Sequence, residues 1–125
     1  MASALASGAG SCTFCSVTFG LFSWAKAAVP VAGVPLICRH LTRLAARGVR
    51  DVVVNLHHRP DTITGVVGDG DAFGCRVRYS WERVLLGSAG GPRRALPLLD
   101  DRFFLINGDT LCDVDLRELL DAHLA

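Results

Sequence analysis

The sequence predicts an α/β fold, a mostly parallel sheet flanked by helices, from two observations. Strand-like and helix-like segments alternate from Lys26 to His123, and two of the strands, Asp51-Val-Val-Val-Asn55 and Phe103-Phe-Leu-Ile-Asn107, are built on unbroken apolar runs, Val52–Val54 and Phe103–Ile106. A strand covered by helices on both faces loses the polar–apolar alternation of a half-exposed one, and repeated β–α alternation supplies the crossover helices that parallel strands need.

Taken in order, Leu5-Ala-Ser-Gly-Ala-Gly10 reads as a short apolar strand running into Gly-x-Gly. Pro35 opens a helix whose Leu36, Ile37, His40, Leu41 and Leu44 recur near helical spacing. Pro suits the first turn, and Gly48 suits the position after the last. Asp51–Asn55 follows as a β-branched strand. Pro60 to Val67 reads as a short helix, with Asp61 favoured by the helix dipole and Gly68-Asp-Gly70 as the stop. Cys75 to Tyr79 alternates as a half-exposed strand. A loop through Leu86-Gly-Ser-Ala-Gly-Gly91 is expected next, then a helix from Pro92 to Leu99, the strand Phe103–Asn107, and a last helix from Asp115 to His123 capped by Asp113 or Asp115.

The 125 residues are 50% hydrophobic and 20% charged, with net charge +1. One domain over 1–125 with a real core is expected, and a disordered tail is excluded. A near-neutral balance gives no support to nucleic-acid binding. The basic residues are twelve Arg and one Lys, read as codon bias rather than as a phosphate-binding design. Five cysteines, Cys12, Cys15, Cys38, Cys75 and Cys112, form an odd, scattered set. Reduced thiols in the cytoplasm fit that better than a disulfide scaffold, with four of the five in or near the core as small hydrophobes.

Residues 1–25 carry no charged side chain and no His. A signal peptide would need a basic start, and a membrane span would need about 20 mostly apolar residues, which the Gly, Ser and Thr of this stretch interrupt. No membrane is expected. Ser11 to Trp24 stands apart in composition, holding three of the six Phe, two of the five Cys and one of the two Trp without clear periodicity.

Three constellations bear on chemistry. A strand entering Gly8-Ala-Gly10 can bring backbone N–H groups close to phosphates, although a plain turn has the same sequence. Asp109 follows the strand Phe103–Asn107, so its carboxylate is expected at the carboxyl edge of the sheet, where open α/β folds bind ligands. A hard cation such as Mg2+ takes one or two carboxylates plus phosphate oxygens, and Gly108 leaves room beside them; an ordinary turn acid is the alternative. Glu82 could accept hydrogen bonds from a base edge, while the small residues Leu86–Gly91 would let a flat ring approach the main chain. The alternative for Glu82 is a solvated loop acid beside Arg83.

Together these segments resemble the sugar-1-phosphate nucleotidyltransferases, the group of mannose-1-phosphate guanylyltransferases and related uridylyltransferases. The matching residues are Lys26-Ala-Ala-Val-Pro-Val-Ala-Gly-Val-Pro-Leu-Ile37, Gly48-Val-Arg-Asp-Val-Val-Val-Asn-Leu-His-His58, Gly68-Asp-Gly-Asp-Ala-Phe-Gly74, Val77-Arg-Tyr-Ser-Trp-Glu82, Leu86-Gly-Ser-Ala-Gly-Gly91 and Phe104-Leu-Ile-Asn-Gly-Asp109. The resemblance implies a Rossmann-like, GT-A-like fold. It also implies a reaction in which the phosphate of a sugar 1-phosphate attacks the α-phosphorus of an NTP, releasing pyrophosphate and leaving a nucleotide sugar. By similarity, Leu5, Ala6, Gly8 and Gly10 would line the nucleotide, and Glu82, Gly87 and Ser88 would meet the base. Lys26 would contact the phosphates and Asp109 would hold Mg2+, these two being the implied catalytic residues. A carboxylate at Glu82 mildly favours GTP over UTP.

The chain departs from the family pattern in two places. The signature loop, roughly G-x-G-T-R-L leading to Pro-Lys, begins at Gly8-Ala-Gly10-Ser11, but Cys12 stands at the Arg and Ala25 at the Pro. The stretch between is also about four residues long for the pattern. No basic residue lies between Gly10 and Lys26, and losing a charged partner of a triphosphate can cost about 2–5 kcal/mol. A corrupted reading frame or assembly error across roughly Ser11–Trp24 is the expected cause of the break. Family catalytic domains also run to about twice this length. A fragment is therefore expected: the N-terminal, nucleotide-side half, weak or inactive as written, with self-association through the truncated face.

Other readings weigh less. Cys12-x-x-Cys15 has no second pair to make a metal or redox site. His57 and His58 are adjacent on extended chain, point opposite ways and cannot readily chelate one ion. His58 could meet substrate at the loop mouth; His40 reads as a core-edge histidine. Arg93 and Arg94 could attract phosphate or sit at a helix start, and Asp69 and Asp71 read as turn formers. A non-catalytic nucleotide-binding module on the same fold is the competing function. A dinucleotide-binding oxidoreductase is disfavoured, because position 13 is Thr and Asn55 ends the next strand.

Overall fold

A computed structural model describes residues 16–20, 27–57 and 59–125 of the chain. Four parallel strands form the sheet: β1 (Ser16–Gly20), β4 (Asp51–Leu56), β5 (Arg76–Trp81) and β6 (Phe103–Asn107), in the order β5-β4-β1-β6. β2 (Pro30–Val31) and β3 (Val34–Pro35) make a separate two-residue hairpin. Its turn places Ala32 and Gly33 at φ 49° and 78°, the positive values that a tight two-residue hairpin turn requires. The expected α/β fold with a parallel sheet is the fold observed.

Helix α1 (Leu36–Ala46) starts one residue after Pro35, as the proline predicts, and ends before Gly48, whose φ of 90° no β-substituted residue adopts readily. Its apolar stripe, Leu36, Ile37, Leu41 and Leu44, is buried. Arg39 holds the hairpin to the helix by donating twice to the Val31 carbonyl, at 2.9 and 2.6 Å. Helix α2 (Pro60–Val67) follows β4 with the predicted bounds and buries Ile63 and Val67. The Asp69–Asp71 turn is an aspartate-capped one, Asp71 N–H donating to Asp69 Oδ1 at 3.1 Å.

The core lies on one face of the sheet, where Val52, Val54, Leu56 and Val77 meet Ile37, Leu41 and Leu44 of α1 and Ile63 and Val67 of α2. Because side chains alternate along a strand, Val53 and Asn55 of β4 face the other way. That second face is covered by α3 (Gly87–Ala95), which packs across β1, β4 and β5. The last helix, α4 (Leu116–Leu124), is capped by Asp115, whose carboxylate accepts from the N–H groups of Arg117 and Glu118.

Three sequence expectations change. The Leu86–Gly91 segment is not a loop: Gly87–Gly91 are the first residues of α3, so Arg93 and Arg94 stand in its last turn rather than at its start. β6 is an edge strand among the described residues, and its Leu105 is 52% exposed, so it is not covered on both faces. The compositionally odd segment 11–24 contains β1, the strand between β4 and β6. The strand expected at Leu5–Gly10 lies outside the described residues.

Candidate functional site

In a parallel sheet every strand delivers its following residues to the same edge, and that edge is where the sequence places its chemistry. β4 delivers His57, β5 delivers Glu82 and the start of α3, and β6 delivers Asn107, Gly108 and Asp109. The strand order puts the β5 and β4 ends on one side of β1 and the β6 end on the other. The chain reverses its direction across the sheet between β1 and β6, the position at which open α/β sheets form a ligand crevice.

The β5–α3 corner is the most closely defined part. Glu82 is 2% exposed, which excludes a solvated loop acid. Its main chain is pinned in both directions: its N–H donates to Leu56 O at 2.7 Å, and its carbonyl lies 3.0 Å from His57 Nδ1. A carbonyl can only accept, so His57 carries its proton on Nδ1. The Glu82 carboxylate accepts from Asn55 Nδ2 through one oxygen and from Leu86 N–H, at 2.8 Å, through the other. Leu86 is the N-cap of α3, so the acid satisfies a helix-start N–H group that would otherwise be orphaned.

Gly91 explains why the next segment is small. A Cβ built there would run into Asn55 Nδ2 and Glu82 Oε1, so only glycine lets α3 lie this close to the pair. Gly87, at φ 76°, opens the helix from a left-handed conformation. The sequence marks Asn55 only as the end of its strand. The signal was available: an amide inside Asp51–Leu56, a run buried on both faces, must find a buried partner.

Asp109 is exposed in the turn after β6, accepting from the hydroxyl of Thr110 at 3.3 Å, while Gly108 before it is buried. His40 of α1 is 8% exposed and lies with Ile106 and Cys112 along a small apolar cavity beneath this turn. Burial, with the Arg43 charge adding to it, holds the His40 imidazole below its usual range, while a hydrogen bond with the Gly108 main chain opposes both. A buried histidine on α1 thus meets the residue before Asp109. Among the described residues no three His, Cys, Asp or Glu side chains cluster to hold a metal. Asp109 therefore suits a hard cation only as a single oxygen ligand, with a ligand's phosphates supplying others, which is the way Mg2+ is commonly bound.

The remaining expected residues divide simply. Leu5, Ala6, Gly8, Gly10, Lys26 and His58 lie outside the described residues. Gly87 and the main chain of Ser88 stand in the first turn of α3, beside Glu82. Of the described cysteines, Cys38 and Cys75 are buried free thiols raised above their usual range by burial, and Cys112 is exposed. No helix among the described residues is long and apolar enough to cross a membrane.

The sequence profile of the Nucleotidyl transferase family matches residues 5–125, and the chain belongs to that family. It is 36% identical over 99 residues to a mannose-1-phosphate guanylyltransferase of Mycobacterium tuberculosis, covering 78% of this chain and 28% of that protein. It is 40% identical over 111 residues to an N-acetylmuramate alpha-1-phosphate uridylyltransferase of Neisseria meningitidis, covering 79% and 48%. The fold matches the crystal structure of HddC from Yersinia pseudotuberculosis with a TM-score of 0.79 at 22% identity, over 89% of this chain and 54% of that one. The same protein complexed with GMP-PN matches at 0.78 and 24% identity, over 89% and 54%. The chain thus spans about half or less of the length of these relatives.

Proposed function

We propose that this chain is the nucleotide-side part of a sugar-1-phosphate nucleotidyltransferase that takes GTP or UTP and a sugar 1-phosphate and works in the cytoplasm. The observation that carries the reading is the placement of the β5–α3 corner and the Asn107–Gly108–Asp109 turn on one carboxyl edge, either side of β1, in a chain of this family. In the reaction a phosphate oxygen of the sugar 1-phosphate bonds to the α-phosphorus. The bond from that phosphorus to the bridging oxygen breaks, and pyrophosphate leaves with the electron pair. Alignment and charge neutralisation are the protein's main contributions to such a transfer.

The residues take roles accordingly. Leu5, Ala6, Gly8 and Gly10 line the nucleotide, and Lys26 meets its phosphates as a point charge. Gly87 and Ser88, at the start of α3, lie against the base, and Glu82 sets their position. Asp109 holds Mg2+, which when bound would neutralise phosphate charge. The N-acetylmuramate 1-phosphate and mannose 1-phosphate named for the relatives are the first sugars to try.

A second reading, a non-catalytic nucleotide-binding module, is favoured by one feature: Cys12 stands where the family loop has Arg, and no basic residue lies between Gly10 and Lys26. The two separate in one assay of the chain with Mg2+, each NTP and a panel of sugar 1-phosphates. Pyrophosphate release supports the enzyme, and nucleotide binding without release supports the module. Release that appears only after Cys12→Arg and addition of a C-terminal half from a relative assigns the defect to the altered loop and to the part of the relatives that this sequence does not span.

A further inference from the structure

We infer that Asn55 and Glu82 form one positioning unit that sets the β5–α3 corner, and that Glu82 acts on a nucleotide through Leu86 and Gly87 rather than by touching the base. The ligand half of this statement rests on the function proposed above; the structural half does not.

Burial, at 2% exposure, rather than a shortage of lone pairs closes the carboxylate to a ligand. Asn55 pairs in register with Ser80, and Leu56 with Trp81, so Glu82 lies one residue past the paired strands and turns its side chain back over Asn55. One oxygen accepts from the Asn55 amide and the other from Leu86 N–H at 2.8 Å. Gly91 closes over the pair from α3 with no room for a Cβ. A base edge with two donors would need those same oxygens, and reaching them would mean lifting α3 from the sheet.

The pair also explains why an acid is used. Two donors converge here from opposite sides, and a carboxylate is the short side chain that offers two acceptors and no donor. The second amide atom, Asn55 Oδ1, is buried and finds no donor among the described residues. It therefore stands as a reserve acceptor. If residue 82 were Gln, the Asn55 amide would turn over so that Oδ1 accepts from the new amide nitrogen, leaving the single side-chain oxygen of residue 82 for Leu86 N–H. The unit is reversible in its chemistry: an acid at 55 with an amide at 82 makes the same two bonds.

The test uses the full chain and the substitutions Glu82→Gln, Glu82→Ala, Asn55→Asp and the double substitution N55D/E82Q. Thermal unfolding, hydrogen exchange at the Leu86 amide, and calorimetric binding of GTP and UTP with Mg2+ are measured. E82A is expected to speed Leu86 exchange by about tenfold, the loss of one part-buried hydrogen bond, while E82Q stays near the starting protein. N55D sets two carboxylates face to face and lowers the melting temperature, and adding E82Q restores most of it. E82Q also leaves the ratio of GTP to UTP affinity within about twofold, since one hydrogen bond read directly by a base is worth about tenfold. A tenfold change of that ratio in E82Q, or a double substitution no more stable than N55D, overturns the inference. If the starting protein binds neither nucleotide, the proposed function fails, while Leu86 exchange and recovery of the double substitution still decide the unit.

Discussion

Arg43 of α1 donates to Asp113 Oδ1 at 2.7 Å and to the carbonyl oxygen of Cys112, fastening the segment that follows Asp109 to the helix. The two bonds differ in worth. The Asp113 side chain is fully exposed, so its charge is screened by water, whereas the Cys112 carbonyl is a fixed main-chain acceptor. Asp113→Ala is expected to leave the denaturation midpoint unchanged. Arg43→Met, which keeps the aliphatic stem, is expected to cost about 0.5–1.5 kcal/mol. Equal losses in urea titrations of the two variants would show that the ion pair, not the main-chain bond, does the fastening.

Asp115 makes the stability of α4 depend on pH. The N–H groups of Arg117 and Glu118 hold its carboxyl below the usual 3.8, with the Arg47 charge helping. A lowered folded-state pKa means that the contribution is present above the unfolded value and disappears as pH falls through the lowered one. Asp115→Ala should therefore lower the melting temperature at neutral pH, and the difference from the parent should shrink as pH drops below 3.8. A difference that stays constant into that acid range would rule out the carboxylate as the source.

Two glycines share a φ of 90° and have different surroundings. At Gly48 a Cβ would meet open space, while at Gly70 it would lie 2.6 Å from both Cys75 O and Val77 Cγ2. Gly48→Ala should cost about 1–2 kcal/mol, the strain of the left-handed conformation alone. Gly70→Ala adds overpacking against β5 and should cost about 2–4 kcal/mol in the same denaturation experiment. The reverse ranking would mean that the Asp69–Asp71 turn yields more easily than its contacts indicate.

The β6 edge presents Leu105 at 52% exposure on an unpaired strand border among the described residues. Exposed apolar edges recruit other strands, and a lysine there discourages pairing. Leu105→Lys should leave the melting temperature within error and shift sedimentation-velocity profiles toward the monomer. Identical concentration dependence in both proteins would place any association elsewhere.

Helices α1 and α2 were legible because Pro35, Gly48, Pro60 and Gly68 mark their ends and the apolar spacing between is helical. β4 and β6 were legible as unbroken apolar runs, and the Asp115 cap as an acid ahead of such spacing. Of helix α3 only the end, Pro92–Ala95, was, because Gly-Ser-Ala-Gly-Gly is poor helix-forming sequence; what favours a helical start is close packing on Asn55 and Glu82, a tertiary fact. β1 was hidden by its setting, although Ser-Val-Thr-Phe carries the polar–apolar alternation of a strand. Both sequence readings of Glu82, base-edge acceptor and solvated loop acid, leave it accessible, because acids are seldom buried without a partner and its partner lies 27 residues away on another strand.

The most direct measurement is calorimetric titration of GTP and UTP, with and without Mg2+, into the chain and into Asp109→Asn. Binding that strengthens with Mg2+ in the parent and weakens by about tenfold or more in the variant, with little difference between the two when Mg2+ is withheld, is the expected result. Nucleotide affinity that is indifferent both to Mg2+ and to the loss of the Asp109 charge would contradict a metal-bound triphosphate at the carboxyl edge of this sheet.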